Sequence, residues 1–527
     1  MSVDSMAGST DQDPSLEGTF RRATPGAWIV LVQLLAVGLQ LPLLFLTSNW
    51  RANPPAVRIL AVGLVLSVAA LGLYRLGSSV LRDRWKSLEA TTILLFAFWY
   101  WNAFDAPGLV APTAFQTITK FIIPVLVVTF AVKVSYHRYL RVGLFATSVT
   151  MASVGLLFLL ALVVNTGESS ITGKPSVDLD AGTDPPDIYM LIVDGYARND
   201  VLTSDYDYSN SVFIDELESA DFFVAKQSKS NYSGTHYSVA SILSMGYIAD
   251  SGPVVSVADV RRLGEIIGGD NPFASSLQNA GYRYVHGPSG WWGSNCGPRV
   301  DECLAAPMID MSVFDLLQQT PASDALFNRS GDPGIHVAMD RYEDFKNGDW
   351  LATAGGPVMV FLHVTIPHPP TYLDEDCEPR LGIEYSQRRL NNYPPHEKHL
   401  LELRKDAYVE QLQCTNNVIR AFLETTPDDA TAIVMSDHGP DSRSQIPIPG
   451  ELWESEARKE RFANLLAIRT PCNDEAEDDF DAVNVGRFVL NCLFDAGLPM
   501  LEGRYFTVPT ATYPAPLIEV ADPDKVP

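Results

Sequence analysis

The first 295 residues contain no cysteine, and basic residues are scarce throughout, 38 Lys and Arg against 63 Asp and Glu. The resulting formal net charge of −25 repels phosphate backbones, which excludes nucleic acid as a partner. No CxxC spacing occurs, so a zinc knuckle is excluded too. Internal repeats and low-complexity blocks are also missing. The six cysteines present are Cys296, Cys303, Cys377, Cys414, Cys472 and Cys492. An even number confined to one part of the chain reads as disulfides formed in an oxidising compartment. We pair them in sequence order, one of the fifteen ways six cysteines can pair.

Long apolar runs are what the N-terminal third has in abundance. After a polar tail come five blocks of roughly membrane-spanning length, given ~20 residues per helix. They lie near Trp28–Leu46, Val57–Leu76, Ala90–Phe104, Ile118–Val134 and Val142–Val164. The third is short and rich in aromatics (Phe96, Phe98, Trp99, Tyr100, Trp101), which also suits an interfacial belt. A cleaved signal peptide accounts for at most one block. Basic residues gather at Arg21–Arg22, between the second and third blocks, and between the fourth and fifth. The loop at Asp105–Thr117 has none. By the positive-inside rule the N-terminus is cytoplasmic and everything beyond ~165 is extracytoplasmic. The expected organisation is a tail over 1–25, a transmembrane domain of about five α-helices over 26–165, a linker over 166–186 and a catalytic domain over 187–527. A transporter is disfavoured, because the spans carry almost no interior charge.

Beyond the linker, strand-like and helix-like runs alternate, the pattern of an α/β domain with a mostly parallel central sheet. Helices are expected at Val212–Ala220, Arg261–Gly268, Leu401–Thr425 and Asn484–Phe494. Three short apolar runs share one design. Asp187-Ile-Tyr-Met-Leu-Ile-Val-Asp194 stops on a carboxylate followed by Gly195. Pro357-Val-Met-Val-Phe-Leu-His-Val364 leads to His368, and Ala430-Thr-Ala-Ile-Val-Met-Ser436 leads to Asp437-His438-Gly439. Such runs suit strands buried on both faces. In open α/β sheets, sites form beyond the carboxyl ends of parallel strands. A shared site is expected there, and carboxylates with an imidazole suit one Zn²⁺ or Mn²⁺ ion.

Four stretches carry candidate chemistry. Asp194, Asp437 and His438 are metal-ligand candidates. In Asn231-Tyr-Ser-Gly-Thr235-His-Tyr-Ser238 a loop enters a helix, with Val239, Ile242 and Leu243 packing inward. Thr235 there is either a nucleophile activated by a metal or a simple cap, and Ser233 and Ser238 compete with it. His368, in a proline-bounded loop, can bind a substrate phosphate or serve as a loop histidine. His363, inside its strand, is read as packed. The stretch Tyr284-Val-His286-Gly-Pro-Ser-Gly-Trp291-Trp292 offers a headgroup platform or core tryptophans.

Together, Asp194, Thr235, His368 and Asp437-His438-Gly439 resemble the alkaline-phosphatase superfamily. The nearest resemblance is to its membrane sulfatase-like branch of lipoteichoic acid synthases and lipid A phosphoethanolamine transferases. It covers about Pro186 to Tyr505 and implies a sulfatase-like catalytic domain. It also implies that Asp194, Thr235, Asp437 and His438 hold one divalent metal, with Thr235 as nucleophile. His368 matches the substrate-binding histidine, and the stretch with His286, Trp291 and Trp292 resembles the synthases' headgroup loop. The basic residue those synthases carry soon after the tryptophan has no clear counterpart here, which weakens the resemblance for a phosphoglycerol substrate. True sulfatases build formylglycine from Cys/Ser-x-Pro-x-Arg, and nothing of that form stands near Thr235. The transferases use a further histidine beyond this motif, whereas no histidine follows His438, which leaves one metal.

The expected activity is therefore transfer of a phospho-headgroup from a membrane lipid donor to a cell-envelope glycan or lipid acceptor, through phospho-threonine. Hydrolysis of phosphodiesters or sulfuric esters by the same fold, and a catalytically silent envelope scaffold, are the alternatives.

Overall fold

The computed structural model describes residues 24–49, 56–100 and 138–164. Between 168 and 525 it describes all but 172–174, 181, 183–184, 252–255, 305–309, 318–319, 323–332, 349–355, 370, 380–397, 443–452 and 508–516. The main division between its two compact units falls at Ala161/Leu162.

The N-terminal unit is helical: α1 (Ala27–Ser48), α2 (Ala56–Leu81), α3 (Arg84–Trp99) and α4 (Arg138–Val164). Among the described helices, α1 and α2 are long and apolar enough to cross a membrane. The expected third block, Ala90–Phe104, lies within α3 as far as Trp99; the helix starts earlier than the apolar run because Asp83 caps it through its side chain, and 101–104 lie outside the described residues. The fourth expected block, 118–134, lies outside the described residues. Helices α1 and α2 cross closely at Gly38 and Gly63, where a Cβ on Gly63 would come within 2.8 Å of the Gly38 carbonyl oxygen. Small residues at such a crossing are how helices approach when water offers no driving force.

The larger unit is an α/β domain. Its strands are β1 (Ile188–Asp194), β2 (Phe223–Val224), β3 (Arg283–Gly287), β4 (Glu302–Cys303), β5 (Val358–Pro367), β6 (Thr431–Ser436) and β7 (Leu466–Arg469). They form one sheet in the order β2-β7-β6-β1-β5-β3-β4. The pairs within β6-β1-β5-β3-β4 are parallel, and β7 runs antiparallel to β6 and β2. Every residue of β1 and β6 is buried, as continuous apolar runs require. Helices cover both faces, which is what buries a parallel sheet. The expected helices are present as α5 (Ser211–Ser219), α7 (Val257–Ile267), α8 (Lys398–Thr425) and α9 (Val485–Phe494), with α6 (Thr235–Ser244) between α5 and α7. Small strands β8 (Tyr505–Thr507) and β9 (Ile518–Val520) pair apart from the main sheet.

The stretch expected as a linker is strapped to this domain in its described part. The Ser170 amide and hydroxyl donate to Asp259, and the Val177 amide donates to Ser276. Ile171 is buried in the domain core. Its polar composition hid the apolar residues that anchor it. Disulfides join Cys296–Cys303, Cys377–Cys414 and Cys472–Cys492, the pairing in sequence order.

Candidate functional site

Strand parity sets the site. Side chains alternate between the faces of a sheet. On one face of the three central strands lie Ile188, Met190 and Ile192 of β1, Met359 and Phe361 of β5, and Ile433 and Met435 of β6. Continuing each series by two residues gives Asp194, His363 and Asp437. The register pairs Ile192 with His363, which puts Asp194 diagonally beside the imidazole on the same face. Helix α6 packs on this face through Val239, Ile242 and Leu243, and its first residue is Thr235.

One donor atom each from Asp194, His363 and Asp437 lies within 4.8 Å of the others, all three residues being buried. The Thr235 hydroxyl is 3.1 Å from His438 Nε2. That nitrogen is 3.2 Å from Asp437 Oδ2 and 3.7 Å from Asp194 Oδ1. The backbone amides of Gly195 and His438 both donate to Asp437 Oδ1, leaving its Oδ2 directed inward. Of the three candidate hydroxyls, Ser238 is committed to the Asp437 carbonyl. Ser233 is buried with its carbonyl taken by Arg461. Thr235 is the hydroxyl that meets the carboxylates and the imidazole.

The His368 amide donates to the Asp194 carbonyl at 2.8 Å, and its ring lies 6.2 Å from that of His438. The approach needs a bare backbone. Gly195 has φ +75°, and a Cβ there would sit 3.4 Å from His368 Cα. Gly439 is packed tighter still, its absent Cβ falling 2.0 Å from the Glu460 carbonyl oxygen.

Two residues outside the expected set belong to the site. Arg461 donates to the carbonyls of Ser233 and Gly439 and, through Nη2, to His438 Nε2 at 3.1 Å. A guanidinium only donates, so His438 Nε2 is an acceptor and its Nδ1–H donates to the Gly439 carbonyl, 2.9 Å away. No motif surrounds Arg461 in sequence, since it ends an ordinary charged helix, Ser455–Phe462. His363 was hidden by its apolar neighbours, but the parity of its strand places it with Asp194 and Asp437.

The headgroup stretch divides. His286 is fully buried and holds the Tyr284 hydroxyl and the Ser294 carbonyl, so its polar atoms are engaged within the core at the end of β3. Trp291 is half-buried, its ring 4.3 Å from that of His236 and 6.0 Å from that of His363. Trp292 opens a 3-10 turn over Trp292–Ser294, and its side chain lies outside the described residues.

Burial dominates the electrostatics. It pushes Asp194 up to about 7 and Asp437 up to about 8, the latter helped by the charge of Asp194. The Arg461 charge and the Thr235 hydroxyl pull both the other way. Burial also lowers His363 to about 3, and His438 well below the usual histidine range, so both rings are neutral. Three buried side-chain atoms of the site have no hydrogen-bond partner: Asp194 Oδ1, His363 Nε2 and Asp437 Oδ2. Unpaired buried carboxylates are costly. Two hard oxygens and an imidazole nitrogen converging together fit a divalent cation.

Residues 186–462, more than half of the chain, match the sulfatase family. The chain belongs to the sulfatase family. It is thereby a sulfatase-like enzyme of the alkaline-phosphatase superfamily. Similar solved structures include the C-terminal periplasmic domain of EcEptC from Escherichia coli, at 11% identity and TM-score 0.40, covering 68% of this chain and 98% of that one. The integral membrane lipooligosaccharide phosphoethanolamine transferase A of Neisseria meningitidis is 12% identical with TM-score 0.39, covering 89% and 96%. BT1596, a 2-O GAG sulfatase, is also 12% identical with TM-score 0.39, covering 63% and 76%. No curated protein matches the chain.

Proposed function

We propose that the protein is a membrane-anchored, metal-dependent phosphotransferase. It moves a phospho-headgroup from a phospholipid to an extracytoplasmic glycan or lipid, through a phospho-threonine intermediate on Thr235. In this reading about five helices within 26–165 span the membrane, and the domain from 187 onward works outside it. The observation that carries the reading is the Thr235 hydroxyl, at the start of a helix, 3.1 Å from His438 Nε2 and beside both buried carboxylates.

Asp194, Thr235, Asp437 and His438 would hold one Mn²⁺ or Zn²⁺ ion. When bound, such an ion lowers the pKa of an adjacent hydroxyl and neutralises charge on phosphorus. The residues supply the rest. Thr235 Oγ1 forms a bond to phosphorus, and the bond from phosphorus to the diacylglycerol oxygen breaks. The proton leaving Thr235 is relayed by the neighbouring groups to the departing diacylglycerol alkoxide. An acceptor hydroxyl then attacks phosphorus as the bond to Thr235 Oγ1 breaks, and its proton returns to Thr235. The N-terminal end of α6 carries partial positive charge where the phosphate would lie. Arg461, buried behind His438, adds a full one. His368 lies within reach of a phosphate oxygen, and Trp291 offers an aromatic wall to the headgroup.

The absence of a formylglycine motif near Thr235 weighs against sulfate ester hydrolysis. The test is intact-mass analysis of the full-length protein in detergent with Mn²⁺ or Zn²⁺ and mixed anionic and zwitterionic phospholipids, beside Thr235→Ala. An adduct on the wild type alone, with the mass of a phospho-headgroup, is expected. No adduct in a chain that also binds no metal would overturn the reading.

A further inference from the structure

His438 is the histidine that the motif resemblance assigns to the metal, yet its Nε2 already accepts from Arg461 and contacts Thr235. Among the buried imidazole nitrogens of the described residues, the one without a hydrogen-bond partner is His363 Nε2. A chain of hydroxyls fixes it as the nitrogen without a proton. Ser294 Oγ donates to the Trp291 carbonyl at 2.8 Å, so its single proton is used. The Ser289 and Ser294 hydroxyls are 2.8 Å apart, and the proton between them must therefore come from Ser289. Ser289 Oγ can then only accept from His363 Nδ1, 3.0 Å away. In the other tautomer, one link of the chain would have no proton. The Nε2 lone pair is left directed at the carboxylates, 3.9 Å from Asp194 Oδ2.

We propose that His363 Nε2 is a ligand of the cation held by Asp194 and Asp437, and that Ser289 and Ser294 lock it in the ligating tautomer. The arrangement follows the general design in which a metal-binding histidine donates its other nitrogen to a fixed acceptor. Ser289 and Ser294 are positioning residues, since they reach the site only through His363. The proposal rests on the metal-dependent reading above but adds a ligand that reading does not contain.

The test uses the full-length chain in detergent loaded with Mn²⁺ alone, with no lipid. Pulsed electron paramagnetic resonance detects nitrogen coordinated to the ion, and calorimetric titration gives the affinity. Loss of one coordinated nitrogen in His363→Gln, that of His438 remaining, with circular dichroism unchanged, is expected. Ser289→Ala should keep both nitrogens and weaken Mn²⁺ binding about 10–100-fold, as removal of such a supporting partner does elsewhere. His363→Gln with an unaltered nitrogen signal would overturn the proposal while leaving the metal-dependent reading intact. Should His363→Gln fail to fold, an unweakened affinity in Ser289→Ala would overturn it instead. A wild type that binds no Mn²⁺ or Zn²⁺ would sink both readings together.

Discussion

Two buried polar clusters lie in the same α/β domain, and they differ in one respect. Around Arg198 and Lys229, charge meets opposite charge. Arg198, 5% exposed, grips Asp200 at 2.7 Å and Asp524 at 2.9 Å. Lys229, 2% exposed, meets Asp479 at 2.5 Å and Asp522 at 3.7 Å. Two cations and four carboxylates tie the chain's last described turn, 522–525, to the loops after β1 and β2. At the carboxyl edge of the sheet, by contrast, Asp194, Asp437 and His363 each keep an atom without a partner. The first cluster is complete as protein. The second is complete only with something added. Orphaned buried polar atoms are rare enough in native structures that three together call for an explanation, and a cation supplies it.

The sharpest way to test the contrast is to remove the hydroxyl the incomplete cluster serves. Thr235→Ala should lower headgroup transfer by roughly ten-thousand-fold, the scale on which nucleophile removal acts. Lipid turnover by the full-length enzyme reads it. The melting temperature should stay near that of wild type, because Thr235 is only partly buried.

Asp437→Asn should separate the two roles of a buried carboxylate. Metal binding should be lost, measured by calorimetric titration. The metal-free protein should nonetheless melt a few degrees higher (~1–2 kcal/mol) than metal-free wild type at pH 9, since the variant buries no charge there.

The pH dependence carries the same signature in two directions. Asp194 and Asp437 sit at about 7 and about 8 against an ordinary 3.8. Those two carboxyls thus bind more protons in the folded metal-free protein than in the unfolded chain between those values. The stability they contribute is lost as pH rises through about 7 and about 8, above the range in which the buried histidines, held below their usual values, act in the opposite sense. Metal binding must displace the same protons, so affinity should rise over that interval. Thermal melts with and without metal at several pH values check both slopes. Parallel slopes would break the contrast.

The complete cluster should behave as structure alone. Arg198→Ala should cost roughly 2–3 kcal/mol, below the 3–5 of a fully buried pair because Asp200 and Asp524 are partly exposed. Denaturant melts read that loss, and metal affinity should not change.

Much of this site can be seen in the sequence because buried parallel strands are continuous apolar runs, and a carboxylate ending one is conspicuous. That is how Asp194 and Asp437 stand out, and why the order of elements beyond residue 187 is legible. His363 sits within such a run, where residue type alone says only that it is packed. Counting by twos from Met359 would have placed it on the same face as Asp194, but that requires knowing which strands are neighbours. Arg461 acts through backbone carbonyls and one ring nitrogen, contacts that leave no pattern in sequence. His286 misled in the other direction. Its glycine-rich surroundings suggest a binding loop, whereas its hydrogen bonds to Tyr284 and the Ser294 carbonyl are satisfied inside the core.

The most direct measurement is the metal content of the full-length protein, purified in detergent without chelator and set beside Asp194→Asn and Arg198→Ala. The account predicts one equivalent of a divalent ion, Mn²⁺ or Zn²⁺, in the wild type and in Arg198→Ala, and none in Asp194→Asn. A wild type that stays empty at saturating Mn²⁺ and Zn²⁺, or an Asp194→Asn protein that binds as well as wild type, would contradict it.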